Sequence, residues 1–275
     1  MEFTSEVLTL EVDGHVATLW LDRAEARNAM GRALWRDLPR AAAAVAADDA
    51  VRVLVIAAKG PHFTVGLDLK EMGGTLSGEG GAASAATKNA ALYDSVRALQ
   101  DAITSIARLA VPVIAAVHGY CIGGGVDLIS ACDIRLGAAS AVFSVREAKI
   151  AIVADLGTLQ RLPKIIGAGH MAELAFTGKD IDAERAATIG LINAVAGEDA
   201  DGVLAAAYTL AGEIAANSPL AVRGTKAVLA ANDGKTVDEG LEFVARWNTM
   251  YLQSNDLREA MTAFLERRAP TFNGD

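Results

Sequence analysis

Three carboxylates lie close together in one stretch of the chain: Asp127, Glu147 and Asp155. The first follows a glycine run, Ile122-Gly123-Gly124-Gly125-Val126-Asp127-Leu128. The third interrupts an apolar passage, Ile150-Ala151-Ile152-Val153-Ala154-Asp155-Leu156-Gly157. A carboxylate among aliphatic side chains is costly to desolvate, so it carries a partner, a shifted pKa or a chemical task. Acids beside a glycine turn suit proton transfer, with one carboxyl as base and another as acid. Two glycine turns add a complementary feature. Gly66-Leu67 follows an apolar strand at 51–58, and Gly123-Gly124-Gly125 follows another at 113–117. Where such a turn opens a helix, free N–H groups and the helix dipole favour an anion at the same spot. Two N–H groups converging from two turns would form an oxyanion hole.

Each feature also has a plain structural explanation. Either glycine turn alone reads as a tight turn, and neither has the spacing of a dinucleotide motif or a P-loop. Asp127 suits the first turn of a helix. Glu147 lies beside Arg146 and near Lys149, as a solvated surface pair would. Asp155 suits the N-cap of a helix containing Leu159 and Leu162. His118, at the end of a buried strand, reads as a hydrogen-bonded structural residue, and Arg161 as the partner of an acid in the core. His15, His62 and His170 show no metal spacing. Cys121 and Cys132 fit no metal or redox motif and read as small buried thiols.

The elements that must position these residues alternate between strand and helix. Residues 7–12 and 16–21 read as two strands around Asp13-Gly14, and 31–47 as a helix despite Pro39. The run 51–58 is apolar throughout, as in a strand buried on both faces. A helix at 87–109, a strand at 113–117, a helix near 124–132 and short strands at 134–137 and 141–145 follow. Beyond residue 157 the signals are almost wholly helical, with amphipathic segments near 200–216, 219–231, 236–253 and 256–267. Asn217-Ser218-Pro219 starts one of these with a capping residue and a first-turn proline. The pattern predicts an α/β core over 1–199 and a helical C-terminal region over 200–275. Met72–Thr87, almost entirely Gly, Ala, Ser and Thr, reads as a disordered loop or a helix of low stability; its composition favours a mobile loop, and its position would let it border a site.

Five segments carry a family resemblance. They are Ala26-Arg27-Asn28-Ala29-Met30, Gly66-Leu67-Asp68-Leu69-Lys70-Glu71-Met72, Val117-His118-Gly119-Tyr120-Cys121-Ile122-Gly123-Gly124-Gly125, Thr158-Leu159-Gln160-Arg161-Leu162-Pro163 and Asn217-Ser218-Pro219. Over nearly its whole length the chain resembles the crotonase (enoyl-CoA hydratase/isomerase) superfamily. The resemblance implies a spiral of ββα units that holds an acyl-CoA thioester, with the C-terminal helices in contacts of a homotrimer or a dimer of trimers. It implies an oxyanion hole from the N–H groups of Leu67 and Gly124. It implies contacts to coenzyme A from Ala26, Arg27, Leu67, Asp68, Leu69 and Lys70, with Lys70 near the phosphates. Coenzyme A is then part of the substrate, and no cofactor or metal is implied.

The acids select a branch of that family. Hydratases carry glutamate at the positions matching Asp127 and Glu147, and usually glycine at the position matching Asp155. All three acids here fall in the register of the Δ3,5-Δ2,4-dienoyl-CoA isomerases. That resemblance implies Asp155 as the base at C2, Glu147 as the acid at C6 and Asp127 in support, in fatty-acid β-oxidation. An enoyl-CoA hydratase is the second reading. A silent acyl-CoA-binding or RNA-binding member is the third.

Composition bounds these readings. With 275 residues, 52% of them hydrophobic, the chain buries a large core. A net charge of −9 disfavours nucleic acid and anionic membrane as partners, and no apolar run reaches membrane-spanning length. The first residues lack a signal-peptide pattern and the last four are not a peroxisomal address, so a cytoplasmic location is expected by default.

Overall fold

The computed structural model describes residues 3–76 and 84–275. The chain opens with the expected hairpin, β1 (Leu8–Asp13) antiparallel to β2 (Val16–Leu21). There follow α1 (Arg32–Ala46), β3 (Val53–Ala58), α2 (Leu69–Leu76), α3 (Ala85–Ala107), β4 (Val113–Val117) and β5 (Tyr120–Ile122). Next come α4 (Gly124–Ser130), β6 (Ile134–Gly137), β7 (Val142–Ser144), α5 (Thr158–Ile166), α6 (Ala168–Thr177) and β8 (Ile181–Asp182). The chain ends with α7 (Ala183–Thr188), β9 (Ala194–Val195), α8 (Ala200–Ala215), α9 (Pro219–Ala231), α10 (Val237–Tyr251) and α11 (Asn255–Glu266).

The strands form two sheets. One runs β1-β2-β3-β4-β6-β9, parallel from β2 onward, and the other runs β5-β7-β8. The chain climbs as a spiral: a long strand in the first sheet, a bend, a short strand or bridge in the second layer, then a helix. Isolated parallel bridges, Met30 to Leu67 and Thr64 to Cys121, extend the second layer back to the first turns. These bridges bring the two glycine turns together.

β3 shows why its sequence is apolar without alternation. Leu54, Ile56 and Ala58 face the main core, whereas Val53, Val55 and Ala57 face α8. All six residues are buried, and burying a Val, Leu or Ile side chain is worth about 1.5–3 kcal/mol. On α8 the stripe Val203, Ala207, Ala211 and Ala215 repeats every four residues. Its small side chains let the helix lie close against β3, β4 and β6. Thus α8 covers the core sheet.

The structure corrects several expectations. Short strands β5, β8 and β9 were not foreseen, the last two inside the stretch read as helical; runs of two or three residues are too short for periodicity to reveal. The loop expected at 72–87 is helical on its described flanks, up to Leu76 and from Ala85, while 77–83 lie outside the described residues. Ser218 caps α9 by accepting the Ala221 N–H, with Pro219 in the first turn as read from sequence. No helix among the described residues is long and apolar enough to cross a membrane.

Candidate active site

The two glycine turns meet at the centre of the spiral. The Met30 N–H donates to the Gly66 carbonyl at 2.8 Å and the Asp68 N–H to the Met30 carbonyl at 3.1 Å, which seats the 66–68 turn beside residue 30. Gly66 has φ +86, and a Cβ there would stand 2.7 Å from the Ile122 carbonyl oxygen and 3.6 Å from the Gly124 nitrogen. Only glycine permits both that dihedral and that approach. Among the described residues, neither the Leu67 nor the Gly124 N–H donates to a backbone or side-chain acceptor. Gly124 opens α4, so its N–H also lies at the positive end of a helix.

Both residues line one cavity of about 480 Å³, and Asp127, Glu147 and Asp155 line it too. Apolar side chains complete the walls: Leu92, Val96 and Leu99 from α3, with Leu69, Ile152 and Leu156. The result is an apolar slot with two free N–H donors and three carboxyl groups. Among the described residues no cluster of His, Cys, Asp or Glu is suited to a metal ion.

The three acids differ in their surroundings. Asp127 is 1% exposed on α4, and its Oδ1 accepts two bonds from Thr158: the N–H at 2.7 Å and the hydroxyl at 2.5 Å. Thr158 is the first residue of α5, so the carboxylate also faces that helix's positive end. Burial pushes the Asp127 pKa up to about 6 against the Thr158 bonds, and the charge of Asp155 adds to the rise. Glu147 begins a 3-10 turn, Glu147–Ile150. Its Oε2 is buried with no hydrogen-bond partner among the described residues. Burial raises its pKa to about 7, aided by the charges of Asp127 and Asp155. Asp155 sits on an exposed part of the loop before α5, its pKa raised by partial desolvation.

These surroundings replace the plain structural explanations. Glu147 pairs with neither Arg146 nor Lys149; Arg146 instead grips Asp180, both carboxylate oxygens lying 2.6 Å from its Nη2. Asp155 is not the N-cap of α5, a position held by Gly157 with no side-chain cap. Arg161 forms no ion pair with a core acid among the described residues. It donates to the Leu156 carbonyl at 3.3 Å and the Thr104 hydroxyl at 3.0 Å. The contacts of Thr158 and Thr104 were not read from the sequence, because nothing local marks a threonine as the partner of an acid 31 positions away or of an arginine 57 positions away. The stripe Leu92, Val96, Leu99 did carry a signal, since its spacing is that of one helix face.

The segments expected to hold coenzyme A adjoin the slot. Val65 donates to the Arg27 carbonyl at 3.2 Å and the Thr64 hydroxyl to the Asn28 carbonyl at 2.6 Å, tying Ala26-Arg27 to the 66–70 turn. Arg27, Leu69 and Lys70 are exposed. The Asp68 carboxylate is engaged otherwise: it accepts the Lys70 and Glu71 N–H groups at the start of α2 and the Arg23 guanidinium at 2.9 Å. Its ionic partner is thus Arg23 and not the neighbouring Lys70 ammonium.

Comparison with known proteins follows this geometry. Residues 11–275 match the family described as enoyl-CoA hydratase/isomerase. The Delta(3,5)-Delta(2,4)-dienoyl-CoA isomerase, mitochondrial, of Dictyostelium discoideum is 42% identical over 257 residues, covering 94% of this chain and 87% of that relative. The peroxisomal isomerase of the same name from Arabidopsis thaliana is 39% identical over 98% of this chain and 96% of its own. The crystal structure of enoyl-CoA hydratase from Bacillus anthracis superposes with a TM-score of 0.88 at 28% identity, covering 98% of this chain and all of the other. The names of these isomerases place them in mitochondria or peroxisomes, which overturns the expected cytoplasmic location. The match over residues 11–275, the identity to these relatives and the shared spiral make this chain a member of the enoyl-CoA hydratase/isomerase family.

Proposed function

We propose that this protein is a Δ3,5-Δ2,4-dienoyl-CoA isomerase of fatty-acid β-oxidation. The observation that carries the reading is the presence of Asp155 with Glu147 and Asp127 around one apolar slot that also holds the free Leu67 and Gly124 N–H groups. The 3,5-dienoyl thioester places its carbonyl oxygen on those two N–H groups. Asp155 takes a proton from C2, and the electron pair delocalises over the thioester oxygen, C2, C4 and C6. Removal of an oxyanion-hole donor costs roughly 3 kcal/mol in comparable sites, so the pair supplies a large part of the barrier reduction. Glu147 delivers a proton to C6, leaving double bonds at C2–C3 and C4–C5.

The environments suit these roles. A pKa raised to about 7 keeps much of Glu147 protonated near neutrality, as an acid requires. The more exposed Asp155 is the better carboxylate base. After one turnover Asp155 holds a proton and Glu147 lacks one, so the acids must exchange it before the next. Asp127, whose charge raises the Glu147 pKa, supports that exchange.

Ala26, Arg27, Asp68, Leu69 and Lys70 hold the coenzyme A portion, mainly through backbone and the exposed cations Arg27 and Lys70. Coenzyme A belongs to the substrate, and no resident cofactor takes part. We assign a homotrimer or a dimer of trimers as the working assembly. Support comes from apolar side chains exposed on the last helices, among them Leu241, Met250, Met261, Phe264 and Leu265.

A hydratase is the second reading, favoured by Asp127 and Glu147 sharing the slot. One oxygen of Asp127 is already engaged by two Thr158 bonds, which leaves it less free to hold a water with Glu147. Purified protein is given a 3,5-dienoyl-CoA and, separately, crotonyl-CoA, and both chromophores are followed. Formation of the 2,4-dienoyl product with slow hydration of crotonyl-CoA is expected. Fast hydration with no 2,4-dienoyl product would reject the isomerase.

A further inference from the structure

Asp155 lies on an exposed loop with no capping bond of its own, yet its main chain is held at two successive carbonyls. The Gln100 side-chain amide donates to the Asp155 carbonyl at 2.6 Å, and Arg97 donates to the other end of that amide at 2.5 Å. The Arg161 guanidinium donates to the next carbonyl, that of Leu156, and reaches the Thr104 hydroxyl with its other nitrogen. Gly157 makes room for this contact. It has φ +124, and a Cβ there would stand 1.8 Å from Arg161 Nη1, so only glycine lets the guanidinium lie on the loop.

Arg161 is half-buried and has no carboxylate ion pair among the described residues. A desolvated cation without a counter-ion is costly, and its donors here serve a carbonyl and a hydroxyl. Gln100 and Thr104 are one turn apart on α3, the helix whose Leu92, Val96 and Leu99 wall the slot.

We propose that Gln100 and Arg161 are positioning residues that fix Asp155 for proton abstraction by tying its loop to α3, the wall against which the acyl chain lies. This rests on the isomerase reading above. The two carbonyl anchors set where the Asp155 backbone stands, and the carboxylate is then aimed by a short side chain with two rotatable bonds. Neither residue touches the thioester. Loss of an anchor therefore lowers kcat and leaves KM in place, because a small misplacement of a reacting group is worth up to about 10²-fold in rate. Filling the slot presses on α3, so a longer acyl chain should set Asp155 better and raise kcat itself.

The test measures kcat and KM with a six-carbon and a ten-carbon 3,5-dienoyl-CoA for the wild type and for Gln100→Leu, Arg161→Met and Arg161→Lys, with a thermal melt for each. Expected for Gln100→Leu and Arg161→Met is a loss of roughly 10-fold or more in kcat with KM within about twofold. Arg161→Lys, which keeps the charge but reaches only one acceptor, should recover part of the kcat. The wild type should show a higher kcat on the longer ester, and Gln100→Leu should narrow that difference. Folded variants with wild-type kcat on both esters overturn the proposal and leave the isomerase reading intact. A wild type that hydrates crotonyl-CoA but does not isomerise either dienoyl ester overturns the isomerase reading and this inference with it.

Discussion

Asp127 and the pair Glu147–Asp155 face the same slot from opposite kinds of structure. Asp127 sits on a buried helix, and one of its oxygens is held by two bonds from Thr158. Glu147 and Asp155 come from a 3-10 turn and a loop, and among the described residues neither carboxylate has a side-chain partner comparable to Thr158; one oxygen of Glu147 is buried with none at all. A carboxyl group with an oxygen already held by two donors is a poorer proton carrier, since transfer at that oxygen must break those bonds. One left without partners is ready to exchange a proton with a substrate. Under the proposed mechanism, the contrast separates an acid that organises the site from two that turn over.

The largest effect that sharpens this contrast is expected at Asp155. Asp155→Asn removes the proposed base and should lower isomerisation by roughly 10³-fold, within the range for general acid–base groups. Stopped-flow loss of the 3,5-dienoyl chromophore measures it, and a mutant at wild-type rate would remove Asp155 from the mechanism. Glu147→Gln follows, with about a 10²-fold loss. Its pH dependence is the sharper readout. The proposed mechanism needs Glu147 protonated, so wild-type kcat should fall as pH rises through about 7, and in the glutamine variant that alkaline limb should vanish.

Smaller effects are expected on the Asp127 side. Thr158→Val deletes one of two bonds to Oδ1 and should cost about 1 kcal/mol of stability with a modest loss of rate, read from a melt and a progress curve. A loss as large as that of Asp155→Asn would erase the contrast. Asp127→Asn tests the linkage sign. The folded-state pKa of Asp127 is about 6, above the ordinary carboxylate value near ~4. Between those values the folded protein binds a proton that the unfolded chain has released, so stability falls as pH rises through the window. The asparagine variant lacks this fall. Its Tm should exceed that of the wild type by several degrees at pH 8 and match it near pH 4; a lower Tm at pH 8 would show that the Thr158 bonds favour the charged form by more than burial disfavours it.

Much of this arrangement was legible before the fold. Apolar runs at 51–58 and 113–117 marked the buried strands, and the glycine turns after them marked the N–H donors, because chemistry of this kind needs glycine at fixed places along the chain. The three acids stood out because charge among aliphatic residues is costly. Environments were harder to read. Asp155 looked like a helix cap and Glu147 like half of a surface pair, yet Gly157 stands at the cap and Arg146 turns to Asp180. The sites of Thr158, Gln100 and Arg161 depend on contacts across 31, 55 and 57 positions, at which local pattern says nothing.

Sequence alone therefore determined the parts: an α/β alternation, two glycine turns, three acids and helices at the end. Tertiary structure decided what each part became. It set the Gly66 turn against Ile122 so that two N–H groups stay free in one slot, and it gave Asp127 two bonds while leaving one oxygen of Glu147 buried without a partner among the described residues. The physical reason is that a residue's type is a property of the chain, whereas desolvation and hydrogen-bond partners are properties of what the fold places around it.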